Sequence, residues 1–136
     1  MRKYTDEKKN KDKTKIMIIE DEIDILLLYK DYLTNKGFSV EATSTTANEA
    51  LNDYENFFPS IIILDYNLPG KISGLEAAKQ ILTKYPNAPI IIVTAFETVR
   101  NEISNDEFFN NKNLILLLKP IKLHLLEFTI KSLLSK

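Results

Sequence analysis

The chain contains no cysteine, which excludes a disulfide framework and any thiolate metal site. It has no long apolar run: its hydrophobic stretches are too short to span a bilayer, and its polar, charged start lacks the apolar segment of a signal peptide. The cytoplasm is therefore the expected compartment. Charge of one sign is not in excess, since 18 Lys and Arg against 19 Asp and Glu leave a net charge of -1. That balance argues against a general nucleic-acid binder. The one histidine, His124, has no carboxylate at a partnering spacing and reads as a surface residue of a helix.

What is present is a single domain's worth of alternating pattern in 136 residues, enough for one core without staples. Residues 1–14 are rich in Lys and Arg, poor in apolar side chains, and read as a disordered, solvated tail; residues 15–136 form the domain. Four short aliphatic runs, Ile16 to Ile19, Ile61 to Leu64, Ile90 to Val93 and Leu114 to Leu118, read as strands buried on both faces. A weaker strand alternates with period two from Phe38 to Ala42. Helical spacing follows each: Ile25, Tyr29, Tyr32 and Leu33 before a stop at Gly37, then Ala50, Leu51 and Tyr54, with Ser44, Thr45 and Thr46 offering N-caps. Leu75, Ala78, Leu82 and Tyr85 mark a third helix. A poorly patterned fourth spans about residues 97–109, and a fifth carries Leu123, Leu126, Ile130 and Leu133. Five such units predict an α/β fold: a doubly wound, five-stranded parallel sheet of flavodoxin-like order 2-1-3-4-5, with helices on both faces. Tyr29, Tyr32, Phe57, Phe58 and Tyr85 read as core or rim packing, as do Phe108 and Phe109.

The chemistry collects at the ends of the aliphatic runs. Ligands in such sheets bind beyond the carboxyl ends of the strands, where the order reverses, here between the first and third strands. Glu20, Asp21 and Asp65 leave the chain there. Three carboxylates in one crevice repel one another, so either one is protonated or a cation sits among them. An oxygen-preferring ion such as Mg2+ suits the set. Thr94 after the fourth strand brings a hydroxyl, and Lys119 after the fifth brings an ammonium. A cation, a hydroxyl and a metal site around one carboxylate fit a phosphoryl group bonded to it, with Asp65 as nucleophile.

At this point the sequence resembles the receiver domains of two-component response regulators. The resemblance rests on Ile18-Ile19-Glu20-Asp21-Glu22, Ile63-Leu64-Asp65-Tyr66-Asn67-Leu68-Pro69-Gly70, Val93-Thr94-Ala95 and Leu118-Lys119-Pro120, in order and over all but the N-terminal tail. It implies a phosphorylation switch rather than an enzyme, apart from slow self-dephosphorylation. Asp65 would take a phosphoryl group from a phosphohistidine on a sensor kinase or phosphotransfer protein. Mg2+ would be held by Asp21, Asp65 and the backbone carbonyl of Asn67, with Glu20 acting through water. Thr94 and Lys119 would be drawn to the phosphoryl oxygens, with small Ala95 giving access, and the surface of the fourth helix, fifth strand and fifth helix would change. The resemblance also implies a cis bond at Pro120, a role for Asn67 and Phe96 in tuning hydrolysis, and possible phosphorylation-dependent homodimers. With no effector domain after the last helix, a stand-alone receiver acting through a downstream protein is expected, with neither nucleic acid nor membrane as partner.

Leu116 stands where the family often carries an aromatic residue. One residue more than usual separates Pro69 from Gly74, and residues 97–113 lack a glycine-containing turn. Three alternatives stand beside the leading reading. A degenerate receiver would bind partners without phosphorylation. An aspartyl-phosphate hydrolase would need an acid where Asn67 stands. A flavodoxin-like cofactor binder would need a phosphate loop where Glu20-Asp21-Glu22 would repel a phosphate.

Overall fold

The computed structural model describes residues 13–44 and 46–135. Residues 1–12 of the charged tail lie outside them. The elements run β1 (Lys15–Ile19), α1 (Ile23–Asn35), β2 (Ser39–Ser44), α2 (Ala50–Phe57), β3 (Ile61–Asp65), α3 (Gly74–Lys84), β4 (Ile90–Thr94), α4 (Thr98–Ser104), a 3-10 turn (Glu107–Phe109), β5 (Leu114–Leu118) and α5 (Leu123–Leu134). All strand pairings are parallel and the order is 2-1-3-4-5, as the pattern predicts.

The continuous aliphatic runs are explained by burial on both sides of the sheet. Met17, Ile62, Ile90 and their alternates face Ala50 and Tyr54 of α2 and Leu75, Ala78, Ile81 and Leu82 of α3. Ile16, Ile18, Ile61, Ile63, Ile91 and Val93 face Tyr29 and Leu33 of α1 and Leu126, Ile130 and Leu133 of α5. Each such side chain contributes roughly 1.5–3 kcal/mol on burial, and a one-residue slip would exchange the two layers, so the register is firmly set. Phe109 is buried in the first layer with Phe108 partly buried beside it, which makes the pair core anchors.

Local chemistry decides the helix ends. Gly37, at φ 97°, closes α1, and Phe38 N–H donates to the Leu33 carbonyl across it. Ser73 caps α3 with a full capping box: its hydroxyl accepts from Glu76 N–H at 3.1 Å while the Glu76 carboxylate accepts from Ser73 N–H at 3.0 Å. Two expectations need correction. The helix expected to be capped within Ser44 to Thr46 starts later, at Ala50: Ser44 is taken into β2, Thr45 lies outside the described residues, and Glu49 stands at the N-cap without a side-chain cap bond. The fourth helix does not run to residue 109. It stops at Ser104, and Asp106 then caps a separate 3-10 turn by accepting from Phe108 N–H at 3.0 Å.

Candidate functional site: a lysine between buried carboxylates

The register lifts the site residues up the sheet edge in steps. Ile19 is level with Leu64, Asp65 with Val93, and Thr94 with Leu118, so Glu20, Asp65, Thr94 and Lys119 emerge at successive strand ends. The ladder continues one rung beyond, with Tyr66 N–H donating to the Val93 carbonyl and Lys119 N–H to the Thr94 carbonyl, each at 2.8 Å. The backbone directly after Asp65 and at Lys119 is thereby fixed. The N-terminus of α3 closes against the same edge: a Cβ at Gly74 would lie 2.0 Å from the Asp65 carbonyl oxygen, so only glycine permits the approach.

Glu20, Asp65 and Lys119 meet. Lys119 Nζ donates to Glu20 Oε1 and to Asp65 Oδ2, both at 3.2 Å. The remaining oxygens are held by backbone: Glu22 N–H donates to Glu20 Oε2 at 3.1 Å and Asn67 N–H to Asp65 Oδ1 at 3.2 Å. Glu20 and Asp65 are 2% and 5% exposed, and the Lys119 side chain 18%. Desolvation, above all, and then the Asp65 charge push the Glu20 carboxyl up to about 7, against the pull of the Glu22 N–H and of Lys119. Burial alone would lower the Lys119 ammonium, but Asp65 and Glu20 outweigh it and hold it above its usual value.

One ammonium does not balance three carboxylates, and the cluster is one that could hold a cation. Oxygens of Glu20, Asp21 and Asp65 lie within 4.8 Å of one another, a set of hard donors that fits Mg2+. The Asn67 backbone lies beside it through the bond to Asp65.

Thr94 sits at the expected strand end, 1% exposed. Among the described residues its hydroxyl makes no hydrogen bond to the other three. It accepts from Phe96 N–H at 3.1 Å, within its own loop. Ala95 and Phe96 are both exposed at the mouth, and the Lys119–Pro120 peptide is cis as expected. His124 is exposed on α5.

Two tyrosines carry more than sequence reasoning gave them. Tyr29, read as packing, is buried next to the site; desolvation, together with the fields of Glu20 and Asp65, pushes its hydroxyl up to about 12. Beside it a groove of about 380 Å³, lined by Ile25, Leu28, Ala95, Lys119, Pro120 and Ile121, opens at the mouth. Tyr66, whose position directly after Asp65 was the available signal, donates its hydroxyl to Glu102 of α4 at 2.8 Å.

Comparison with known proteins agrees with the geometry. Residues 16–130 match the response regulator receiver domain. The chain belongs to that family. The receiver is 31% identical over 81 residues to chemotaxis protein CheY of Thermotoga maritima, a match covering 60% of this chain and 67% of the relative. Among solved structures, a CheY-like receiver domain protein of Methanospirillum hungatei superposes with a TM-score of 0.76 at 28% identity, over 90% of this chain and 94% of that one. The response regulator TrrA of Thermotoga maritima, solved in complex with Mg2+ and BeF, gives 0.75 at 29% identity, over 88% of this chain and 98% of that one. No helix among the described residues is long and apolar enough to cross a membrane.

Proposed function

We propose that this receiver is a phosphoacceptor switch, not an enzyme, in which Asp65 takes a phosphoryl group from a phosphohistidine of a sensor kinase or phosphotransfer protein. The observation that carries the reading is the Lys119 ammonium bonded to Asp65 and Glu20 at a sheet edge where carboxylate oxygens cluster. An Asp65 oxygen attacks phosphorus, the O–P bond forms as the P–N bond breaks, and the histidine nitrogen leaves with the bonding pair. Charge on the phosphoryl oxygens is the main thing to be stabilised in such a transfer. Lys119 already lies within hydrogen-bond reach of Asp65 and follows that charge. Thr94 supplies a hydroxyl donor to those oxygens. Asp21, Asp65 and the Asn67 carbonyl, with Glu20 through water, would hold Mg2+, which when bound neutralises the carboxylates and phosphoryl oxygens.

Transfer from a protein donor suits the surroundings of the mouth. Ile23, Leu27 and Leu28 of α1 are exposed large apolar side chains, and the groove with Ile25 and Pro120 adjoins Lys119. A donor protein covering Asp65 would bury them. Output would pass by protein contact through the surface of α4, β5 and α5, and a cytoplasmic place of action goes with this reading. As the family resemblance implies, Phe96 and Asn67 would tune the lifetime of the acyl phosphate.

The test is intact mass after brief incubation with acetyl phosphate, with and without Mg2+, on the native chain and Asp65→Asn. A single Mg2+-dependent phosphoryl adduct, absent from the variant, is expected. An equal adduct on Asp65→Asn would sink the nucleophile assignment. No adduct on either protein would favour a phosphorylation-independent interaction module.

A further inference from the structure

Among the described helices, α4 is held most weakly. It has seven residues, no side-chain cap at its N-terminus, and one buried side chain, Val99, where the eleven residues of α3 bury six. A segment with so few apolar contacts opens at low free energy. Two hollows of about 340 and 370 Å³ separate it from the loop that follows β3 and from α3. Both are lined by Tyr66 and Glu102. The two residues bridge this gap, with the Tyr66 hydroxyl 2.8 Å from Glu102 Oε1 and 3.1 Å from Oε2.

The two ends of the bridge are held very differently. Tyr66 is a fixed post: its N–H donates to the Val93 carbonyl, its carbonyl accepts from Gly74 N–H at 3.0 Å, and its neighbour in the chain is Asp65. Glu102 rides on α4. The path from Thr94 to the start of α4 is only three residues long, 95–97. The Thr94 hydroxyl is tied to that short path by the bond it accepts from Phe96 N–H, so a Thr94 drawn toward a group on Asp65 pulls on the path and on the helix behind it. The Tyr66 bond to Glu102 resists the shift of that helix. The Lys79 to Asp106 ion pair, at 2.5 Å, tethers the segment just beyond the helix.

Resting on the phosphoacceptor reading, we infer that the hydrogen bond from Tyr66 to Glu102 is a latch that holds α4 in its resting place and opposes closure of the 95–97 loop over an occupied Asp65. A latch that exists in one of two arrangements shifts their ratio by its own worth and no more. One neutral-to-charged hydrogen bond at a solvent-open position corresponds to about threefold to tenfold.

The experiment is titration of the native chain, Tyr66→Phe, Glu102→Ala and the double variant with beryllofluoride in saturating Mg2+, read by calorimetry. Tyr66→Phe is expected to bind about threefold to tenfold more tightly, and the double variant no more tightly than Glu102→Ala alone. General damage to the fold would weaken binding, so a gain cannot come from it. Unchanged or weaker binding by Tyr66→Phe, or gains that simply add, would overturn the latch. Hydrogen exchange without ligand supplies the second arm: amides of residues 98–104 should exchange faster in both single variants, and unchanged exchange there would also overturn it. If the native chain bound no beryllofluoride, the phosphoacceptor reading itself would fail, whereas native binding with indifferent variants would remove only the latch.

Discussion

Replacing Glu20 with glutamine should stabilise the metal-free protein at alkaline pH while leaving it nearly unchanged in mild acid. Glu20 is 2% exposed, beside Asp65, and its carboxyl lies at about 7 against an ordinary 4.5. At about 1.4 kcal/mol per unit, the difference is worth at most about 3 kcal/mol. The sign follows from proton binding. A raised carboxyl binds its proton more tightly in the folded chain, so its contribution is fully present below about pH 4.5 and is lost as the pH rises through about 7. The native chain should therefore lose about 2–3 kcal/mol between about pH 5 and pH 8 from this group alone, a large part of a typical domain's stability. Glutamine keeps the shape and carries no charge, so Glu20→Gln should lack that slope. Urea denaturation in a chelator at both pH values measures it. Near pH 5 the two proteins should agree within about 1 kcal/mol, and near pH 8 the variant should be about 2–3 kcal/mol more stable. Saturating Mg2+ should return the advantage to the native carboxylate. Parallel pH profiles, or a less stable variant at pH 8, would refute the claim that the site carries unneutralised buried charge.

Gly74→Ala should cost more than about 3 kcal/mol, because the added Cβ meets backbone, the Asp65 carbonyl oxygen at 2.0 Å and the Tyr66 Cα at 3.0 Å, and neither can yield without moving the end of β3. The urea midpoint reads the loss, and the acetyl phosphate adduct should fall with it because Asp65 is displaced. Ser73→Ala removes half of the capping box on α3 and should lower stability by about 1 kcal/mol, a drop of several degrees in the melting temperature. Its adduct yield should stay at the native level, since no Ser73 atom bonds to the cluster.

The sheet was legible because both of its faces are covered. Four aliphatic runs of four or five residues have few other places to go, and the residue ending or following each run is placed by register, which is why the positions of Glu20, Asp65, Thr94 and Lys119 are legible in the sequence. Features that depend on which donor reaches which acceptor were less accessible. The start of α2 was misplaced because hydroxyl residues at 44–46 look like caps, yet the helix begins beyond them with Glu49 at a position that makes no side-chain cap bond. The end of α4 was misplaced because its apolar spacing is weak: only Val99 is buried and Ile103 partly so, and Asp106 redirects the chain into a 3-10 turn. Thr94 was correctly placed but its hydroxyl faces its own loop, an orientation that no spacing rule encodes. The contact between Tyr66 and Glu102 joins residues 36 apart with no shared pattern, and only the fold brings them together.

The unequal packing of the helices bears on where a change at Asp65 can travel. A phosphoryl group there adds charge to a crevice whose walls are strand ends fixed by ladder bonds, so the sheet itself gives little. On one side α1 is anchored by Tyr29 and Leu33 in the core, and Tyr32 donates to Glu127 of α5 at 2.7 Å, which ties those two helices into one layer. On the other, α3 is held by six buried residues, a complete cap and the glycine contact with Asp65. Neither side can take up a displacement without opening buried apolar surface. The remaining path runs through Thr94 and three exposed residues into α4, which is held by buried Val99, partly buried Ile103 and the Tyr66 hydroxyl. In the phosphoacceptor reading that helix is the element through which occupancy of Asp65 would be read at the surface, and it needs no aromatic residue at the position of Leu116.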